Sequence, residues 1–435
     1  MLIRVIFFSL CALSTSLQAQ KQTKLQIRLE TQVKAMGQQI IEWRRKFHQN
    51  PELSNRENQT GAFIADYLKS LGMEVQYPVA KTGVVGLLKT EKPGPVVALR
   101  ADMDALPISE KNGLPFASNV KTNFGGQETG VMHACGHDAH MAMLMAVAKI
   151  LSDNKKELKG TVKFLFQPAE EGVGPGESPA GAELMVKEGV LENPKVEAIF
   201  GLHIQSLMPS GTLNYRSGPF MAAVDGFDIK VKGKGAHGAT PWEGIDPVVV
   251  GSQIVNGLQT IVSRQTALTT AAAVVTVGSF HAGIRRNIIP DEAYLQGTIR
   301  TFGAEMQKKV HEKIKLTATK IAEASGATAE VEILVMYPAT INEAKLTEKM
   351  APSLIRAAGN ENVNIVSPAT MAEDFSFYQQ KVPGFFFFLG AYPAEMKLER
   401  KPTHHTADFM IDENSFSTGV RALLNLTVDY LMMKK

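Results

Sequence analysis

Apolar positions along the chain follow two rhythms. From Met36 to Gly72 they recur every three or four residues, in "MGQQIIEWRRKFHQNPELS" and again, after Pro51, in "RENQTGAFIADYLKSLG". This spacing predicts helix over 36–71, interrupted at the proline. Two short β-branched runs bounded by glycine and proline, "TGVVGLLKT" and "PVVALRADMDALP", predict buried strands. "MAMLMAVAKIL" (141–151) reads as a strongly apolar helix, and "GTVKFLFQPAEEG", "EAIFGLHI" and "PGFFFFLG" as further core strands. Strands alternating with helices predict an α/β domain built on a largely parallel sheet.

The second rhythm begins near Ala223. "VDGFDIKVKGKG" alternates apolar and charged residues, as a half-exposed strand does. A helix (248–264), the strands "AAAVVTVGSF" and "EAYLQGTIRTF", a helix (304–325) and "TAEVEILVMYP" follow. The order β-α-β-β-α-β is that of a ferredoxin-like α+β module. The expected organisation is a catalytic domain over 36–222 and 335–435, with a module inserted at 223–334.

Length agrees, since 435 residues exceed what one core organises. With 46 basic against 43 acidic residues, the net charge of +3 gives no reason to expect a nucleic-acid partner. "MLIRVIFFSLCALSTSLQAQ" has a basic start at Arg4, an apolar run from Val5 to Leu13 and small or polar residues to Ala19. That is the form of a secretory signal peptide over 1–19, so a periplasmic or extracellular protein is expected. The apolar run is shorter than the ~20 residues of a membrane span, so no membrane attachment is expected after cleavage. Cleavage removes Cys11 and leaves Cys135 as the one cysteine, which excludes an intrachain disulfide.

Cys135 lies in the densest chemical stretch of the chain, "VMHACGHDAH". Thiolate and neutral imidazole both ligate zinc-like ions, and Cys135 and His137 stand two apart just before the apolar helix. Asp138 is placed to cap that helix, whose amino terminus favours a thiolate. Three further places add donors. "FQPAEEG" sets Glu170 and Glu171 directly after a buried strand, where one carboxylate can ligate and the other act as a base. "IFGLHI" sets His203 at the end of another strand, and "PTHHTADF" offers His404 and His405. Cys135, His137, Glu171, His203 and one terminal histidine are too many for one catalytic zinc, which takes three protein ligands. Two ions sharing a ligand use all five.

In order and spacing, "LRADMDALPI", "MHACGHDAHMAMLMAVA", "FQPAEEG", "FGLHI", "GKGAHGATPWEGIDP", "RRNIIPDEAYLQGTIRTF", "MAEDFSFY" and "HHTADFMIDE" resemble the metallopeptidase family of the aminoacylases and glutamate-releasing carboxypeptidases, peptidase family M20. The resemblance runs from about position 36 to the carboxyl end and is to the amidohydrolase branch, with its N-acyl-amino-acid, hippurate and indole-acetyl-amino-acid hydrolases. It implies a zinc-peptidase-like catalytic domain, a central mixed sheet flanked by helices, with the inserted module serving as lid and dimerisation domain. It also implies two divalent ions per subunit (zinc, manganese, cobalt or nickel) on Cys135, His137, Glu171, His203 and His405, with Cys135 bridging. Glu170 resembles the general base, Asp104 the carboxylate orienting a ligand, and His237 the residue stabilising the tetrahedral intermediate. Asn287 and Arg300 match contacts to the substrate's carboxylate end. Glu373 lies in a family motif without an assigned role. The implied reaction is hydrolysis of an N-acyl amino acid or short peptide. Three alternatives stand beside it: a metallo-carboxypeptidase or dipeptidase of the same family, a hydrolase with Cys135 as nucleophile, and a non-catalytic binding protein.

Overall fold

A computed structural model of the chain describes residues 23–174, 176–395 and 401–433. The predicted signal peptide, 1–19, lies outside them. Helix α1 (Lys24–Gln49) starts well before the expected position 36. Thr23 and Gln26 form a reciprocal cap at its start, and Leu25, Leu29 and Val33 are buried among polar residues that mask the rhythm. After Pro51, α2 (Asn58–Ser70) follows, then β1 (Glu74–Val79), β2 (Gly83–Lys89), β3 (Val96–Asp102), α3 (His137–Asp153), β4 (Thr161–Gln167), β5 (Ala198–Pro209) and β6 (Leu213–Tyr215). The chain continues through β7 (Ala223–Lys232), α4 (Pro247–Thr260), β8 (Ala273–Ala282), β9 (Glu292–Thr301), α5 (Ala304–Ala324) and β10 (Thr328–Tyr337). It closes with α6 (Ala344–Ala358), β11 (Val363–Ile365), β12 (Gly384–Tyr392) and α7 (Phe416–Met432).

The central sheet has eight strands in the order β1-β2-β4-β3-β5-β12-β6-β11. It is mixed. β4, β3, β5 and β12 run parallel, while β2 and β6 join antiparallel on either side. One face is covered by α1, α3 and α7, whose apolar residues form a continuous core with Phe164, Phe166 and Phe200. Parallel β3, β4 and β5 bring their carboxyl ends to one edge, with Asp102 level with Gln167.

The second sheet, β8-β9-β7-β10, is antiparallel, with α4 and α5 packed on it through Ile254, Leu258, Val310 and Ile314. Its strand order is that of a ferredoxin-like βαββαβ unit. β10 runs past 334 to Tyr337, where it pairs with Val224. Among the described residues no helix is long and apolar enough to cross a membrane.

A buried ionic chain seats α3 against α1. Asp138 does not cap α3; the residue before the helix is Gly136, with no side-chain cap. Instead its Oδ2 ion-pairs with Arg44 Nε at 2.8 Å and accepts from His48 Nδ1 at 2.7 Å. His48 Nε2 donates to Glu110 Oε1 at 2.8 Å. Both ring nitrogens facing carboxylates makes His48 an imidazolium. Burial disfavours the ionised Asp138, but Arg44 and His48 outweigh it and hold its pKa far below the ordinary carboxylate value. The stability it contributes is therefore complete above about pH 4 and is lost as pH falls through the depressed folded value. Asp138→Asn should lower unfolding free energy at neutral pH by about 3 kcal/mol, because it removes the buried negative charge that Arg44 and His48 share and leaves Arg44 only Glu413, at 3.3 Å. Urea denaturation at pH 7 checks this, and a loss under ~1 kcal/mol would refute it.

Candidate metal centre

The candidate ligands sit where the parallel strands end. Cys135 and Gly136 form the turn into α3, and Gly136 takes the left-handed φ of +92°. A Cβ there would overlap Ile204 Cγ2, so the turn needs glycine. His137 opens the helix, and His203 lies in β5. Cys135 Sγ is 3.3 Å from His203 Nε2. His405 Nε2 is 3.1 Å from Glu171 Oε1, and His137 Nε2 is 3.8 Å from that same oxygen. Donor atoms of Cys135, His137 and His203, and those of Cys135, Glu171 and His405, lie within 4.8 Å of one another. All five sequence-predicted ligands therefore converge, with Cys135 common to both groups.

Hydrogen bonds set the tautomers. His137 Nδ1 donates to the Asp104 carbonyl at 2.9 Å, and His203 Nδ1 donates to the Ile204 carbonyl at 2.7 Å. Each ring thus turns its Nε2 lone pair into the cluster, the arrangement a ligating histidine needs. His137 Nε2 is buried and has no hydrogen-bond partner. His140 and His404 are spent elsewhere. His140 Nδ1 donates to Asp102 at 2.6 Å while its Nε2 accepts from the Ile204 amide at 2.9 Å. His404 Nε2 donates to the Ile204 carbonyl at 3.0 Å, and Ser206 Oγ lies 3.3 Å from Nδ1. His405 carries φ +59° and is anchored by its amide to the Ala134 carbonyl at 2.9 Å, which hangs its ring over Glu171.

Glu170 and Glu171 lie on a strained turn. Ala169 before them has φ +55°, a region costing a non-glycine residue about 1 kcal/mol or more. Glu57 accepts from the Ala169 amide at 2.9 Å, and Asp104 Oδ2 from the Glu171 amide at 3.0 Å and Ser54 Oγ at 2.7 Å. Behind the turn, Arg100 is buried among Asp102 (2.7 Å), Glu373 (2.8 Å) and Asp374 (2.9 Å). Burial, then Glu373, Glu171 and Asp374, push the Glu170 carboxyl well up. Burial lowers His137, yet Asp102, Asp104 and Glu171 outweigh it and raise it to about 10. The chain alone thus leaves a surplus of negative charge that draws protons onto its own imidazole. Divalent cations fit this donor set and its charge.

Cys135 departs from one expectation. Burial and then Glu171, Glu170 and Asp102 push its thiol well up, despite the helix start beside it, while burial pushes His203 down. A self-activated thiolate–imidazolium pair is disfavoured here, and a cation is what would hold the thiolate.

Sequence reading passed over Arg100, Asp102 and Asp374. The available cue was the alternation Arg100, Asp102, Asp104, which places charges on one side of a buried strand. His237, Asn287 and Arg300 belong to the second sheet's surroundings. His237 and Asn287 are exposed neighbours, with the Gly238 amide donating to the Asn287 carbonyl at 3.0 Å. Arg300 is half-buried, and its Nε donates to the Thr370 carbonyl at 3.2 Å. Among the described residues, none of the three hydrogen-bonds or ion-pairs with the five.

Fold and cluster together define a hydrolase. The family model described as Peptidase family M20/M25/M40 matches residues 98–429, and the chain belongs to that family. It is 40% identical to thermostable carboxypeptidase 2 of Saccharolobus solfataricus, over 93% of this chain and 98% of that protein. It is 39% identical to N-acetylcysteine deacetylase of Bacillus subtilis, over 91% of this chain and 97% of the relative. Among solved structures, the YXEP protein of Bacillus subtilis, described as a dinuclear metal binding peptidase, superposes with a TM-score of 0.75 at 37% identity. That match covers 92% of this chain and 99% of the other.

Gly136→Ala should cost about 2 kcal/mol or more, from the left-handed φ and the overlap with Ile204. It should also displace Cys135 and weaken metal retention. Thermal melting with metal analysis of the purified variant checks both.

Proposed function

We propose that this protein hydrolyses the amide bond of N-acyl amino acids, with two divalent cations held by Cys135, His137, Glu171, His203 and His405. The observation that carries the reading is the pair of imidazoles, His137 and His203, tied at Nδ1 to backbone carbonyls, with His137 Nε2 unpartnered and His203 Nε2 facing Cys135 Sγ. Bound cations would supply an acidified water and polarise the scissile carbonyl. The remaining work falls to the chain. Glu170, buried beside the cluster and not needed for coordination, takes the proton of the attacking water. It then delivers that proton to the leaving nitrogen, so that water and amide become carboxylic acid and amine. Asp104 steadies both His137 and the Glu171 amide, which keeps base and ligands in register. His237 serves the developing oxyanion, and Asn287 and Arg300 the substrate carboxylate, once the inserted module closes.

The N-acetylcysteine deacetylase relative supports an acyl amino acid as substrate, and the thermostable carboxypeptidase 2 relative supports a second reading, cleavage of a carboxyl-terminal residue from a short peptide. A panel of hippurate, N-acetyl amino acids, aryl-acetyl conjugates and dipeptides separates them.

Glu170→Gln should lower kcat by about 10³-fold with metal content unchanged, and chelation should abolish wild-type turnover until zinc, manganese, cobalt or nickel is restored. Activity surviving full metal removal would point to Cys135 as nucleophile. A separate comparison tests the terminal ligand. His405→Ala should lose metal on dialysis whereas His404→Ala retains it, as read by elemental analysis; the reverse pattern would reassign the ligand.

A further inference from the structure

The turn Ala169–Gly172 is held by three hydrogen bonds to consecutive residues. Glu57 accepts from the Ala169 amide, Asp104 accepts from the Glu171 amide, and Tyr337 Oη donates to the Glu170 carbonyl at 2.9 Å. The first two anchors come from segments bordering the central sheet: Glu57 directly precedes α2, and Asp104 lies two residues past the end of β3. The third comes from the last residue of β10, an edge strand of the second sheet, at the point where the inserted module returns to the catalytic body. The Tyr337 ring meets Phe377 edge-on at 6.0 Å between centroids, which fixes where the hydroxyl points. Burial, then Asp374 and Glu170, raise its phenol far above the usual value, so it stays a donor. Near the same junction Arg300, in β9, reaches the Thr370 carbonyl.

We propose that Tyr337 is a positioning residue for Glu170: its hydroxyl ties the inserted module to the turn that presents the base, so Glu170 is aligned only while the module rests against that turn. This rests on the reading of Glu170 as the base. The physical ground is the strain at Ala169. A turn held at φ +55° relaxes if one of its anchors is lost, and Tyr337 is the anchor that a rotation of the module would break.

The test compares metal-loaded wild type, Tyr337→Phe, Phe377→Leu and Glu170→Gln. Tyr337→Phe removes only the hydroxyl. It should cut kcat about tenfold with KM within about twofold, metal content and melting temperature should hold, and hydrogen exchange across 168–173 should speed about tenfold. Phe377→Leu disturbs the ring's packing but leaves the hydroxyl in place, and should lower the melting temperature while costing kcat less than Tyr337→Phe does. Equal losses of melting temperature and kcat in both variants would make Tyr337 merely structural and overturn the proposal. So would unchanged exchange in Tyr337→Phe, a readout that needs no substrate. Glu170→Gln separates the two ideas, because near-normal turnover there would sink the base assignment itself, whatever Tyr337→Phe does.

Discussion

Asp102, Asp104, Glu170, Glu171, Glu373 and Asp374 bring six carboxylates to one end of the central sheet, with Arg100 buried among them. Placing that much like charge out of water is unfavourable by many kcal/mol unless it is compensated. Arg100 compensates part through its contacts with Asp102, Glu373 and Asp374. The remainder falls on the side where Cys135, His137, His203 and His405 point their donor atoms. Protons on His137 and Glu170 are one answer to that surplus, and divalent cations are the other. The parallel strands β3, β4 and β5 exist in this arrangement because only strands running in one direction deliver their carboxyl ends to a common edge.

Four of the five candidate ligands were legible in the sequence because each stands at an element the hydrophobic pattern marks clearly. Glu171 follows a buried strand, His203 lies within one, and Cys135 and His137 stand at the start of an apolar helix, whereas His405 lies in a loop and came only from the resemblance. The two-texture division was legible for the same reason, since the period-two alternation of β7 differs from the unbroken apolar runs of the central strands. The choice of His405 over His404 came from the resemblance to the family. Its physical basis, His404 consumed by Ile204 and Ser206, depends on β5 lying beneath that loop.

What stayed hidden is long-range and polar. Arg100 meets Glu373 and Asp374 across more than half the chain, and no periodicity announces such a pairing. Asp138 looked like a helix cap because its local setting matched one. Arg44 and His48 on α1 claimed it instead, and a buried guanidinium needs a carboxylate more than a helix start does. The start of α1 was missed for the opposite reason. Its first turns bury one leucine or valine at a time among polar residues, too sparse a stripe to count as helical from sequence alone.

On the proposed role of Glu170 as base, the two tiers of carboxylates bear on how one base can serve a site so rich in acids. Asp374 is bound by Gln167, Arg100 and the Ala182 amide, while Glu373 keeps one buried oxygen without a hydrogen bond, in the same group of carboxylates as Glu170. Burial and Glu373 raise Asp374 to about 8 against the pull of Arg100, and burial likewise raises Glu373. Both shifts run toward protonation against the pull of Arg100. That back layer sets the electrostatic floor on which Glu170 stands. A carboxylate backed by other carboxylates holds a proton more readily than one backed by arginine alone, and a base that must return its proton to a leaving amine gains from that bias. Cations held on the front side would oppose it by favouring the ionised form. With cations bound as proposed, Glu170 would sit between the two, its proton affinity set by the balance of an acidic wall and a cationic mouth.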